Sequence, residues 1–318
     1  SMVRSHPTTK DSGLSRSRYR KCMEERIVEF LTDRGICLGK DIYSALGEDS
    51  FLIWRTCKRS RRIIMKSIAK RYLRLDRKVP GLARLSPAPQ REFLTYTVLG
   101  LNKAEVEMRA YELREEIKRI SRYKIKLAKK ISEKALEESD DAVREKSVFI
   151  IGGDVPLIMA HSDPRPERSL GKMVAGSDLD IVVIHENDLD TKAIKKLESV
   201  LLDLKYYLLS QPMKKEELDF LIKSMKDVKK QLEFTNFEDK VACKILNEAE
   251  VLAGNKGIYV KIRRMIDDYR VKEKIEELEE KGMKYRKITE EILLKTENPD
   301  RELLLKTFTT TMEFSEIF

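Results

Sequence analysis

The chain has 318 residues, of which 37% are charged and 41% hydrophobic, and it carries a formal net charge of +10. That length is enough for two domains and a sizeable core. No apolar run is long enough to span a bilayer and no signal-peptide pattern stands out, so a helix-rich cytoplasmic protein with no membrane association is expected. The charge is uneven: residues 1–100 hold 22 Lys and Arg against 10 Asp and Glu, which leaves the remaining 218 residues at −2. Such asymmetry points to an N-terminal part that faces a polyanion. Cys22, Cys37, Cys57 and Cys243 show no C-x-x-C spacing, and reduced thiols are expected.

Residues 1–20 are polar, basic and rich in Ser and Arg, the composition of a disordered arm. Residues 21–100 read as a nucleic-acid-binding module. Glu24–Thr32 is amphipathic, Gly39–Leu46 supplies a second helix, and Ser50 stands where an N-cap would open a third. Tyr72–Arg77 alternates as a strand does, and Arg91–Leu99 is expected to return as a second strand after Pro80-Gly81. Three short helices followed by a β-ribbon resemble a winged helix-turn-helix. Across this module run Arg55, Lys58, Arg59, Arg61, Arg62, Lys66, Lys70, Arg71, Arg74, Arg77 and Lys78, with Asp76 as the only acid from Arg55 to Lys78. Phosphates would relieve that self-repulsion, so these cations are the candidate contacts for DNA or RNA. Trp54 and Tyr72 can stack on bases, although Trp54 also suits a core.

Residues 101–145 are expected to be a long charged linker helix. Val106, Ala110, Leu113, Ile117, Ile120, Leu127 and Ile131 form a heptad-like stripe interrupted by Lys124. The stripe at 103–136 suits a homodimer or packing against its own chain.

Residues 147–185 are the most informative stretch. Ser147–Ile151 is a short β-branched and aromatic run, broken at once by Gly152-Gly153, and a helix starting near Asp154 would add a phosphate site. Asp178-Leu179-Asp180 then opens a second apolar run. In a strand, residues i and i+2 share a face, so both carboxylates stand side by side, a pairing that suits a shared Mg²⁺. Thr191–Ser210 has helical spacing.

Ile151-Gly152-Gly153 followed by Asp178-Leu179-Asp180-Ile181 resembles the signature of the polymerase-beta-like nucleotidyltransferase superfamily. The resemblance covers roughly residues 147–260 and implies transfer of an NMP from an NTP to a hydroxyl acceptor with two Mg²⁺ ions. It makes Asp178, Asp180 and Asp219 the metal ligands, with Asp219 assisting deprotonation of the acceptor. It places Gly152, Gly153 and Ser177 against the triphosphate, with Arg165, Arg168 and Lys172 as candidates for its γ-phosphate. The 24 residues between Gly153 and Asp178 are about twice the family's usual spacer. They are either an active-site loop or a sign that the Gly-Gly pair is coincidental.

The expected architecture is therefore α+β: a winged helix-turn-helix, a linking helix, a nucleotidyltransferase-like mixed sheet over 146–235, and helices over 236–318. Those helices are expected at Phe237–Leu252, Val260–Arg286 and Glu290–Thr296, with another after Asn298-Pro299. The alternative function is a winged-helix transcriptional regulator whose second part senses a nucleotide or is inactive.

Overall fold

The computed structural model describes residues 12–167 and 169–310, with side chains from Met23 onward. It mixes helices with several small sheets. In chain order the elements are α1 (Ser12–Arg34), β1 (Cys37–Leu38), α2 (Gly39–Leu46), α3 (Ser50–Arg59), β2 (Ile64–Ser67), β3 (Tyr72–Leu75), β4 (Ala83–Ser86), α4 (Pro89–Tyr96) and β5 (Thr97–Gly100). The long α5 (Lys103–Glu137) and short α6 (Asp141–Lys146) lead into β6 (Ser147–Ile151), β7 (Pro164–Pro166), β8 (Met173–Ala175) and β9 (Leu179–His185). Then come α7 (Thr191–Ser210), β10 (Leu218–Ser224), α8 (Met225–Gln231), α9 (Phe237–Glu248), β11 (Glu250–Gly254), α10 (Lys256–Asp268), α11 (Val271–Lys295) and α12 (Arg301–Thr307). Among the described residues no helix is long and apolar enough to cross a membrane.

The central sheet has the order β10-β9-β6-β11, with β10 parallel to β9 and the other neighbours antiparallel. Its strands are apolar on both faces because helices cover both. Phe149, Ile151, Ile181 and Val183 pack with Ala128 and Ile131 of α5 and Leu197, Leu201 and Leu204 of α7. Val148, Ile150, Val182 and Ile184 point the other way, onto Leu246, Ile262, Ile266 and Ile275 of α9 to α11. Leu73 and Ala83, from the β3–β4 hairpin, belong to this second cluster. A separate sheet, β1-β5-β2, closes the N-terminal part around Ile27, Ile42, Trp54 and Phe93.

Several expectations change. Residues 12–20, expected as a disordered arm, begin α1, while residues 1–11 lie outside the described residues. Asp49, not Ser50, caps α3, its carboxylate accepting the N–H groups of Phe51 and Leu52. The expected strand at Arg91–Leu99 is mostly helix α4, because Pro89 at its first turn is already set to helical φ. Only Thr97–Gly100 remains extended. Helix α9 stops at Glu248, since the next residues pair with β6 as the fourth strand of the central sheet. The helix expected at Val260–Arg286 is divided at Arg270, which sits at φ 53°, and α11 then runs through the helix expected at Glu290–Thr296.

The apolar stripe of α5 faces its own chain: Val106, Ala110, Leu113, Ile117 and Ile131 are all buried. Lys124, which interrupts the stripe in the sequence, is 0% exposed.

Candidate active site

Strand β9 begins immediately after Asp178, and its parallel register sets Asp180 opposite Asp219 on β10. Strand parity puts Asp178, Asp180 and Asp219 on one face. Each offers one carboxylate oxygen, and these three oxygens lie within 4.8 Å of one another. All three residues are half-buried. Carboxylates this close repel unless a cation lies between or beside them. Lys205 of α7 donates to Asp219 at 2.9 Å, and Arg165 approaches Asp178 at 3.8 Å.

The two glycines are built around Asp180. The N–H of Gly152 donates to the Asp180 carbonyl at 2.9 Å. Gly153 has φ +74°, and a Cβ there would stand 2.4 Å from Asp180 Oδ2, so both the turn and the carboxylate require glycine. The 24 intervening residues thus do not part the Gly-Gly pair from the Asp-x-Asp run. No helix follows at Asp154: Gly153–Ile158 are turns, and the expected helix N-terminus for phosphate is missing there.

Two clefts meet at Asp180. One, of about 220 Å³, is lined by Tyr72, Arg74, Arg91, Gly153, Asp154, His161, Arg165, Ser177, Asp178, Asp180 and Lys244. The other, of about 600 Å³, runs past Asp219 between Leu73, Leu75, Ile181, Phe220, Leu221, Phe237, Val241 and Ile245. The first is cationic and the second apolar, and Arg74 and Lys244 border both.

Comparison with family models and with curated proteins finds no match.

The remaining candidates divide. Ser177 is buried at the cleft wall, where its hydroxyl donates to Asp154 at 2.6 Å and accepts the His161 N–H at 3.1 Å. Arg165 also lines the cleft, yet it is 3% exposed and held by Glu217 and the Gly176 carbonyl, so it lies beneath the carboxylates instead of reaching outward. Lys172 is exposed at the β7–β8 turn, outside the linings of both clefts, and Arg168 falls outside the described residues.

Sequence reading missed Arg91, Lys244 and His161. Arg91 and Lys244 lie far from the motif along the chain and carry no local signal. His161 lies in the long interval after Gly153 and likewise carries no local signal. Burial, with Arg91 adding to it and Asp163 opposing, lowers the His161 pKa to about 3, so the imidazole is neutral at ordinary pH.

The basic run disperses. Arg55 is buried and donates to the carbonyls of Thr296 and Glu297, and Arg59 donates to that of Leu294, so both hold the end of α11. Arg62 pairs with Glu25, Lys66 with Glu107 and Arg77 with Glu238. Arg71 joins Glu92 and Glu290, which Arg286 also binds. The expectation that these cations lack acidic partners is thus corrected: the partners come from distant segments. Lys58, Arg61 and Lys70 remain exposed, and Arg74 turns into the clefts. Trp54 packs between Phe51 and Phe308 and is core, whereas Tyr72 lines the cationic cleft under Lys244.

Proposed function

We propose that the chain is a Mg²⁺-dependent nucleotidyltransferase that moves an NMP from an NTP to a hydroxyl acceptor. The observation that carries this reading is the convergence of Asp178, Asp180 and Asp219 at the start of two neighbouring parallel strands, with Gly153 packed against Asp180. Three hard carboxylate oxygens within 4.8 Å of one another suit Mg²⁺, and these residues would hold it. When bound, the metal would neutralise charge at the entering and leaving oxygens. Arg74, Arg91 and Lys244 face the cationic cleft and suit the triphosphate. Asp219 borders the apolar cleft and would take the acceptor proton. The acceptor oxygen bonds to the α-phosphorus, the bond from that phosphorus to the bridging oxygen breaks, and pyrophosphate leaves.

Incubation with α-phosphorus-labelled NTPs and Mg²⁺, with and without total RNA, tests the reading. Label should appear in RNA, in protein or in a small product with wild type and be absent with Asp178→Asn. Full activity of Asp178→Asn would remove the assignment.

The N-terminal element order and the β1-β5-β2 sheet suit a winged helix-turn-helix, with α3 as its second helix. That supports a second reading, a regulator that binds nucleic acid and senses a nucleotide. Nucleotide binding without transfer would favour it. The engagement of Arg55 and Arg59 with α11 weighs against α3 as a reading helix.

A further inference from the structure

We propose that two buried ion pairs, Lys124–Glu216 and Arg165–Glu217, are the positioning device of the carboxylate triad. The assignment rests on the metal-binding reading of Asp178, Asp180 and Asp219.

The argument starts from the backbone before Asp178. Lys124 Nζ donates to the carbonyls of Ala175 at 2.8 Å and Ser177 at 2.6 Å. Arg165 Nε donates to the carbonyl between them, that of Gly176, at 2.8 Å. Three successive carbonyls leading to Asp178 are therefore gripped by two cations. The same cations hold the segment before Asp219. Lys124 donates to Glu216, and Arg165 Nη1 lies 2.6 Å from Glu217. Each cation thus spans the two chain segments that deliver the triad. Backbone bonds run alongside, from Ala175 N–H to Lys215 O and from Leu179 N–H to Glu217 O, both 2.9 Å.

The side chains of Lys124, Glu216, Arg165 and Glu217 are 0%, 2%, 3% and 1% exposed. Burying charge is costly, and a buried pair is a poor source of net stability compared with apolar packing. What such pairs can supply is a fixed register. Register is what this site needs, because three carboxylates within 4.8 Å push one another apart. Groups behind metal ligands set ligand orientation, and their loss characteristically weakens metal affinity. Burial lowers the Lys124 pKa from its ordinary value, and Glu216 opposes that shift.

The arrangement also accounts for two odd features of the sequence. Lys124 breaks the apolar stripe of α5 because that helix reaches under the site. The long interval after Gly153 contains the β7–β8 hairpin, which delivers Arg165.

The test is Mn²⁺ affinity, measured by electron paramagnetic resonance on the full chain and read together with thermal unfolding. Lys124→Gln combined with Glu216→Gln removes both charges and keeps the volume. We expect its Mn²⁺ Kd to rise about 10–100-fold while a cooperative melt and the near-UV circular dichroism are retained. Glu217→Gln, which keeps an acceptor oxygen for Arg165, is read in the same way and decides the matter if the double variant does not fold. Lys196→Gln, at an exposed pair with Asp140, should leave the Kd unchanged. A lowered melting temperature with the Kd unmoved would mean a merely structural role and would overturn the proposal. A wild type that binds no Mn²⁺ overturns it together with the metal reading. Binding by wild type that is lost in Asp178→Asn, with no label transferred, sinks only the transferase reading, and the Kd comparison still decides this one.

Discussion

Two clusters of like charge look equivalent along the chain: the carboxylates around Asp178 and the cations from Arg55 to Lys78. In the folded protein they have opposite fates. The carboxylates converge, because strand parity aligns Asp178 with Asp180 and a parallel register brings Asp219 beside them. The cations scatter, because their run crosses a helix, a strand and a hairpin, and each element turns its side chains toward a different neighbour. Arg55 and Arg59 hold carbonyls of α11, Arg71 enters a cluster with Glu92, Arg286 and Glu290, and Arg74 joins the carboxylate site itself. A local charge cluster is thus a site only where the backbone geometry keeps it together.

The largest expected effect breaks the converging cluster. Asp178→Asn or Asp180→Asn should lower nucleotide transfer by on the order of 10²–10³-fold or more, with little change in melting temperature. Labelled-NTP incorporation measures the first and calorimetry the second.

Acidity probes the cleft wall beside it. The folded His161 pKa of about 3 lies below its ordinary 6.5, so the native state favours the neutral ring. The stability it contributes is present above pH 6.5 and is lost as pH falls toward 3, by at most about 1.4 kcal/mol per pH unit. His161→Gln should flatten the melting temperature over that window, and an unchanged slope would sink the account.

Two glycines sharpen the comparison. Gly153→Ala forces a Cβ to within 2.4 Å of Asp180 Oδ2 and should weaken Mn²⁺ binding as well as cost about 1–3 kcal/mol. Gly171→Ala, at φ +67° with nothing within 4 Å, meets only the backbone strain of about 1 kcal/mol and should leave metal affinity alone. Equal metal affinities in the two variants would disconnect Gly153 from the site.

The scattered cations divide between buried and surface roles, and the surface ones give the smallest effects. Arg55→Met strands carbonyls at the end of α11 and should destabilise the fold by about 1–3 kcal/mol. Arg61→Ala, on the surface, should stay within about 0.5 kcal/mol of wild type. Chemical denaturation of both variants checks the contrast. If nucleic acid binds, its affinity should respond to Arg61→Ala and not to Arg55→Met in folded protein.

Much of the fold was legible where short-range rules decide it. β6 at Ser147–Ile151, α2 at Gly39–Leu46 and α7 at Thr191–Ser210 fall where periodicity and punctuation put them. Asp178 and Asp180 were legible for the same reason, since alternation along a strand needs no knowledge of the rest of the chain, whereas Asp219 was picked out by the family resemblance and joins them only through the parallel register of β10 with β9. The break at Arg270 and the strand at Glu250–Gly254 were not, because no glycine or proline marks the first and pairing with β6 creates the second. Arg91 and Lys244 carry no local sign of belonging to the site, and Lys124 shows only as a break in an apolar stripe.

The sequence by itself determined which side chains can bear charge, which strands are apolar, and the two-residue spacing that sets Asp178 and Asp180 on one face. Only the tertiary structure decided which charges meet. Partners such as Lys124 and Glu216 are 92 residues apart along the chain. Their pairing depends on α5 crossing beneath the sheet, a result of packing apolar faces that no local pattern of charges encodes.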